Sequence, residues 1–215
     1  MIISVYSPKG GVGKTSLSLN LSSTLDFTLL SNDEFGGVTD LVNKGRRRNK
    51  AFLVGINDEE ILKQNNSVYD FGGFRDNRVK KILSSSNVVI IPTLHSHSDI
   101  KATLSTIIEL NKINQKNIII AVNRVTTNSS KKNKQGLKIY TEFLETKTEI
   151  KDFLETNNLP KVKFIQIRDN KAWRKSTSKG RSLIELAEKN KLVKHSSKSA
   201  IEDLVSLINA IKKFK

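Results

Sequence analysis

Gly10-Gly11-Val12-Gly13-Lys14-Thr15 gathers three glycines, a lysine and a hydroxyl residue between a strand-like run, Ile2-Ile3-Ser4-Val5-Tyr6, and a leucine-rich segment. Such a turn lets successive backbone N–H groups converge on phosphate oxygens, and the helix it opens adds the partial positive charge of its N-terminus. Lys14 is then placed to reach the β- and γ-phosphates of a nucleotide, Thr15 to offer its hydroxyl to Mg²⁺, and Ser16 to reach an α-phosphate oxygen. The general pattern G-x-x-x-x-G-K-[ST] asks for glycine where Pro8 stands. The variant K-G-G-x-G-K-[ST], headed by Lys9, is met in full.

Acidic and amide residues at the ends of other apolar runs are the candidates to complete such a site. Asp33 follows Phe27–Ser31, Asp70 follows Val68-Tyr69, and Asn123 follows Ile118–Val122. Asp58 competes with Asp70, but it leads into Glu59-Glu60-Ile61-Leu62 and reads as a helix cap. His95 and His97 lack a third and fourth ligand, so a metal site there is not expected.

The elements that must position these residues are short runs rich in β-branched residues: Ile2–Ser7, Phe27–Ser31, Ser67–Phe71, Asn87–Pro92, Asn117–Asn123 and Val162–Ile167. Helical spacing lies between most of them, as in Leu17, Leu21 and Leu25, and in Ile100, Leu104, Ile107 and Ile108. Alternation of strands apolar on both faces with helices predicts a doubly wound α/β fold, a mostly parallel sheet with helices on both faces. Thr126–Gly136, full of Asn, Ser and Lys, reads as a surface loop, and residues 1–215 read as one domain.

Composition narrows the function. With no cysteine, thiol nucleophiles, cysteine zinc sites and cysteine-held iron–sulfur clusters are excluded. The longest apolar runs fall far short of the ~20 residues that cross a bilayer, and no signal peptide precedes the first strand, so a cytoplasmic protein is expected. The net charge of +16 is uneven: residues 1–100 carry 12 Lys and Arg against 10 Asp and Glu, and residues 101–215 carry 25 against 11. A clustered positive field favours a polyanion partner, nucleic acid or an anionic membrane surface. Lys outnumbers Arg 28 to 9, a pattern that an AT-rich coding bias also produces.

Lys9 and the phosphate loop resemble the ParA/MinD group of deviant Walker A ATPases, whose signature lysine reaches across an ATP-sandwiched homodimer to the partner's nucleotide. The resemblance covers most of the chain and is strongest to the short plasmid-partition ParA proteins, because the first strand begins at Ile2 and leaves no N-terminal helix-turn-helix domain. It implies a P-loop fold, ATP and Mg²⁺ as cofactors, and slow, partner-stimulated hydrolysis to ADP and phosphate. The family's second motif, D-x-D-P-Q-G-N-A-T, aligns with Ser31–Thr39. Asp33 takes the place of the aspartate that orients the attacking water, while Ser31 and Glu34-Phe35 depart from the pattern. Tyr69-Asp70-Phe71-Gly72-Gly73 resembles the Walker B motif, whose aspartate holds Mg²⁺ through water. Asn123 matches the position whose amide reads adenine, with Ile167-Arg168-Asp169 near the base.

Residues 168–183 resemble the family segment that binds nonspecific DNA, and Lys171, Arg174, Lys175, Lys179 and Arg181 crowd into 11 residues there. Arg46-Arg47-Arg48 is a second candidate. No base-reading motif accompanies these charges, which position rather than specify. The family's cycle implies an ATP-bound dimer on the nucleoid, released by a ParB-like centromere-binding adaptor. The C-terminal run places Ile201, Leu204, Val205, Ile208 and Ile211 on one stripe. Its acidic Glu202-Asp203 fit a core-packing helix better than a membrane anchor. The alternatives are a MinD-like membrane-associated positioning ATPase, an ATP-binding protein with little hydrolysis, and a small-molecule ligase or kinase on the same fold.

Overall fold

Val88 and Ile90 pack into one apolar core while Val89 and Ile91 pack into another, and Ile119 and Ala121 alternate with Ile118, Ile120 and Val122 in the same way. This period of two sends successive side chains to opposite faces of a sheet that is buried on both sides. The computed structural model describes residues 1–33, 38–44, 51–53, 65–72, 77–126, 130–132 and 138–214. Glu34 to Gly37, the Arg46-Arg47-Arg48 run, Asp58, the helix expected after it, and Gly73 lie outside the described residues.

Among the described residues the sheet holds seven strands: β1 (Ile2–Val5), β2 (Thr28–Ser31), β3 (Ala51–Leu53), β4 (Ser67–Asp70), β5 (Val88–Thr93), β6 (Ile118–Val125) and β9 (Lys163–Arg168). Their order is β3-β2-β4-β1-β5-β6-β9, and every pairing is parallel. One face carries α1 (Lys14–Leu25), α2 (Val38–Lys44), α6 (Lys171–Ser178), α7 (Leu183–Lys189) and α9 (Lys198–Ile211), which share a core with Ile3, Val5, Val88 and Ile119. The other carries α3 (Asn77–Ser85), α4 (His97–Lys112) and α5 (Thr141–Thr156), packed on Val89, Ile91, Ile118 and Ile120. The short α8 (Lys191–Ser196) joins α7 to α9. The doubly wound architecture expected from the sequence is the one observed.

Two expectations are corrected. Ser130–Lys132 lies inside the stretch read as a surface loop, yet it forms β7, paired antiparallel with β8 (Lys138–Tyr140) through Ser130↔Tyr140, Lys131↔Ile139 and Lys132↔Lys138. Polar side chains hide a ladder whose bonds come from the backbone. In α9, Val205 is 44% exposed, and the buried stripe is Ala200, Leu204, Leu207, Ile208 and Ile211. At 100° per residue Val205 falls to the side of that stripe. Among the described residues no helix is long and apolar enough to cross a membrane.

Candidate nucleotide site

The carboxyl ends of β1, β4 and β2 lie side by side, with Val5 in register with Asp70 and Asp70 in register with Ser31. In an open α/β sheet this is the edge where ligands bind. The chain leaves β1 through the phosphate loop, where Gly11 and Gly13 take φ of 74° and 99°. Such values favour glycine. Gly13 caps α1 without a side-chain bond, so the N–H groups of the first turn have no side-chain acceptor from the cap.

The Lys14 side chain folds back over the loop, and its ammonium donates to the Lys9 carbonyl at 2.8 Å. Burial pulls its pKa below the ordinary lysine value, while the Asp70 and Asp33 carboxylates oppose that shift. Asp70 is 2% exposed. One carboxylate oxygen accepts from the Ser18 hydroxyl at 3.2 Å, and the Thr15 hydroxyl also hydrogen-bonds to the group. Its other oxygen is buried with no hydrogen-bond partner. Burial raises the Asp70 pKa to about 6 against the lowering by Thr15, Ser18 and Lys14. A buried carboxylate oxygen without a donor, beside a hydroxyl at the head of a phosphate loop, fits a divalent cation. Among the described residues no group of three or more His, Cys, Asp or Glu is arranged to hold a metal by itself.

Asp33 lies just past β2, its N–H donating to the Ser31 hydroxyl at 3.1 Å, and its charge acts on both Lys14 and Asp70. The structure therefore brings Lys14, Thr15, Asp33 and Asp70 together. The neighbouring Asn32 accepts from Gly72 N at 2.7 Å and ties the end of β2 to the end of β4. The Lys9 ammonium reaches the Ser98 hydroxyl at 3.4 Å, at the start of α4. The Ser16 hydroxyl donates to the Trp173 carbonyl at 3.3 Å.

Asn123 sits within β6, at a bulge where Arg124 adopts a φ of 55°. Its amide donates to the Val12 carbonyl at 2.8 Å and its oxygen accepts from Arg124 N at 2.9 Å. In this arrangement Asn123 braces the phosphate loop. Gly13, Ser16, Asn123, Asp169, Asn170 and Trp173 surround a narrow cleft of about 40 Å³, which Arg168 also lines. Ile167 is not part of it, being wholly buried in the core as its place on β9 requires. Arg168 is clamped to α9: its N–H and guanidinium donate to Asp203 at 2.7 to 3.1 Å, and to Ser199 and Glu202.

The basic segment is displayed on α6. Trp173 and Ser176 face the core, leaving Lys171, Arg174 and Lys175 exposed on the opposite side. Lys179 is exposed at its end. Gly180 (φ 57°) and the Arg181 N–H to Ser176 carbonyl bond close the helix, with Arg181 half-buried. Ser182 and Glu185 then form a capping box that starts α7. His95 bonds Thr146 at 2.8 Å and pairs with Glu145 at 3.2 Å, joining the β5–α4 loop to α5.

Sequence reasoning missed Ser18, which bonds Asp70, and Asn20, which joins α1 to α6 and α7. Ser16, Asn20 and Ser23 share one helical face, but α1 is polar at most of its positions, so nothing in its pattern marks these residues out.

Together the parallel sheet and its glycine loop form a P-loop fold of the ParA/MinD-like kind. No family model and no curated protein matches the sequence. Among solved structures, the chain is similar to the MinD cell division protein of Aquifex aeolicus, with a TM-score of 0.61, 20% identity, and coverage of 97% of each chain. It is also similar to a plasmid partition protein of Borrelia burgdorferi B31 bound to AMPPNP (TM-score 0.60, 16% identity, 95% of this chain and 98% of that one). The septum site-determining protein MinD of Pyrococcus horikoshii OT3, complexed with Mg-ADP, matches with a TM-score of 0.58, 16% identity, and coverage of 96% and 95%.

Proposed function

We propose that this chain, as one domain over residues 1–215, is a ParA-type ATPase that dimerises around ATP, binds nonspecific duplex DNA and drives partition of a plasmid or chromosome. The observation that carries the reading is the meeting of Lys14, Thr15, Asp33 and Asp70 at the carboxyl ends of adjacent parallel strands. The nucleotides held by the Borrelia and Pyrococcus proteins support ATP and Mg²⁺ as ligands here.

In this reading Gly10, Gly11, Val12 and Gly13 present their N–H groups to phosphate oxygens, and Lys14 leaves the Lys9 carbonyl to neutralise the terminal phosphates. Ser16 takes an α-phosphate oxygen. Thr15 and, through water, Asp70 would hold Mg²⁺, which supplies charge neutralisation at the phosphates. Asp33 orients the attacking water, and Lys9 reaches the nucleotide of a second copy. Asn123 lines the base side of the loop and contacts adenine once its amide turns from Val12. Lys171, Arg174, Lys175, Lys179 and Arg181 take DNA phosphates from both copies, on the nucleoid of a bacterial cell. A ParB-like adaptor stimulates the slow hydrolysis.

A MinD-like membrane role is less well supported, because α9 buries Leu204, Leu207, Ile208 and Ile211 in the core rather than offering them to lipid. Phosphate release from ATP tests the reading. The native chain turns over, and Lys14→Ala and Asp33→Ala reduce turnover at least about a hundredfold. Native turnover equal to that of Lys14→Ala would contradict it. ATP binding without any turnover would leave a nonenzymatic ATP-dependent switch.

A further inference from the structure

Ser16, Asn20 and Ser23 share one face of α1, and that face meets α6 and α7 through hydrogen bonds. The Ser16 hydroxyl donates to the Trp173 carbonyl at 3.3 Å, and the Ser23 hydroxyl to Glu185 at 3.0 Å. Between them, the Asn20 amide donates to the Ser176 hydroxyl at 3.0 Å and to the Ser16 carbonyl at 2.8 Å, and accepts from Leu183 N at 2.7 Å. Asn20, Ser176 and Leu183 are all wholly buried. α6 itself buries only Trp173 and Ser176. Trp173 anchors the helix in the core with Ala172 packed beside it, and the directional bonds from α1 add a second, oriented attachment.

Ser16 lies in the first turn of α1, and its bond to Trp173 is at the long end of the hydrogen-bond range. A phosphate on the loop competes for that hydroxyl. We propose that Asn20 is a positioning residue that couples the phosphate loop to the basic segment: drawing Ser16 off the Trp173 carbonyl shifts α6 about the Asn20–Ser176 bond and so sets the affinity of Lys171, Arg174 and Lys175 for DNA. The proposal rests on the nucleotide and DNA reading above. Linkage makes the coupling reciprocal, so DNA on α6 alters ATP affinity by the same factor.

Trp173 is the chain's single tryptophan, so its emission reports on α6 directly. The full chain, Asn20→Ala and Ser176→Ala are titrated with ATP–Mg²⁺ while Trp173 emission is followed, and duplex DNA anisotropy is measured with and without ATP. In the native chain ATP shifts the emission and raises DNA affinity about tenfold. In both variants ATP affinity stays within about threefold of native, while the emission shift is lost and the DNA affinity ratio falls to about one. Should Asn20→Ala fail to fold by circular dichroism, Ser176→Ala, which removes one hydroxyl, carries the comparison. Folded variants that keep the native emission shift and ratio overturn the coupling, as does a native chain that binds ATP without any emission change. So does a variant that loses ATP affinity and thermal stability with its DNA ratio intact, the mark of a purely structural role. An emission shift in the native chain, lost in the variants, with no DNA binding in any state supports the coupling and overturns the DNA reading instead.

Discussion

The Asn123 amide nitrogen, bonded to the Val12 carbonyl at 2.8 Å, occupies the space that a Cβ on Gly13 would need. Gly13 also holds a φ of 99°, which side-chain-bearing residues rarely adopt. Sterics and backbone conformation thus both demand glycine between the loop and β6. Gly13→Ala is expected to cost roughly 1–3 kcal/mol of stability and to abolish nucleotide binding, measured by urea unfolding and ATP titration. Asn123→Ala in the same background removes the clash but not the φ strain, so the pair is expected to recover only part of the stability.

Asp70 is buried with one carboxylate oxygen lacking a donor, so its ionised form costs stability. Its folded pKa of about 6 lies above the ordinary carboxylate value of 3.8, so the folded state holds the proton more tightly than the unfolded chain. The stabilising contribution is complete below the unfolded value and is lost as pH rises through about 6. Asp70→Asn is therefore expected to be more stable than the native chain at pH 8 by roughly 1–3 kcal/mol, with the difference shrinking toward pH 4. Thermal melts across pH check the sign. In the proposed function the same variant is also expected to lose Mg²⁺-dependent turnover, read by phosphate release.

Two arginines six residues apart have opposite weights. Arg168 bonds Asp203, whose side chain is nearly buried, while Arg174 is 71% exposed and lies 3.9 Å from Asp169. Arg168→Ala leaves Asp203 with few compensating donors and is expected to destabilise by about 3 kcal/mol in chemical denaturation. Arg174→Ala is expected to change stability by less than about 0.5 kcal/mol.

The proposed function reverses that order. Arg174→Ala with Lys175→Ala is expected to weaken duplex DNA binding and to lower the slope of log affinity against log salt by about 1 to 2, with ATP turnover in the absence of DNA unchanged. An unaltered affinity and slope would remove α6 from the DNA surface.

The architecture was legible because its signals are local: the runs Val88–Ile91 and Ile118–Val122 are apolar on both faces, and the glycines of the loop follow directly from β1. Asp70 was legible as the polar end of a buried strand. β3 and the β7–β8 hairpin were not, because three-residue strands such as Ser130–Lys132 are defined by backbone partners and carry no periodicity of their own. Asn20 was hidden for a related reason. A buried amide satisfied by Ser176 and Leu183, more than 150 residues away in sequence, reads as an ordinary polar interruption of a helix. The brace from Asn123 to Val12 depends on the β6 bulge, which no spacing announces.

Duplex DNA anisotropy across a salt series, with ATP–Mg²⁺, with ADP or without nucleotide, for the native chain and Lys14→Ala, tests the central claim most directly. The account predicts binding that requires ATP, falls steeply with salt and disappears in Lys14→Ala. Binding of equal strength in all three nucleotide states, unaffected by Lys14→Ala, would contradict it and reduce the basic second half to undirected charge.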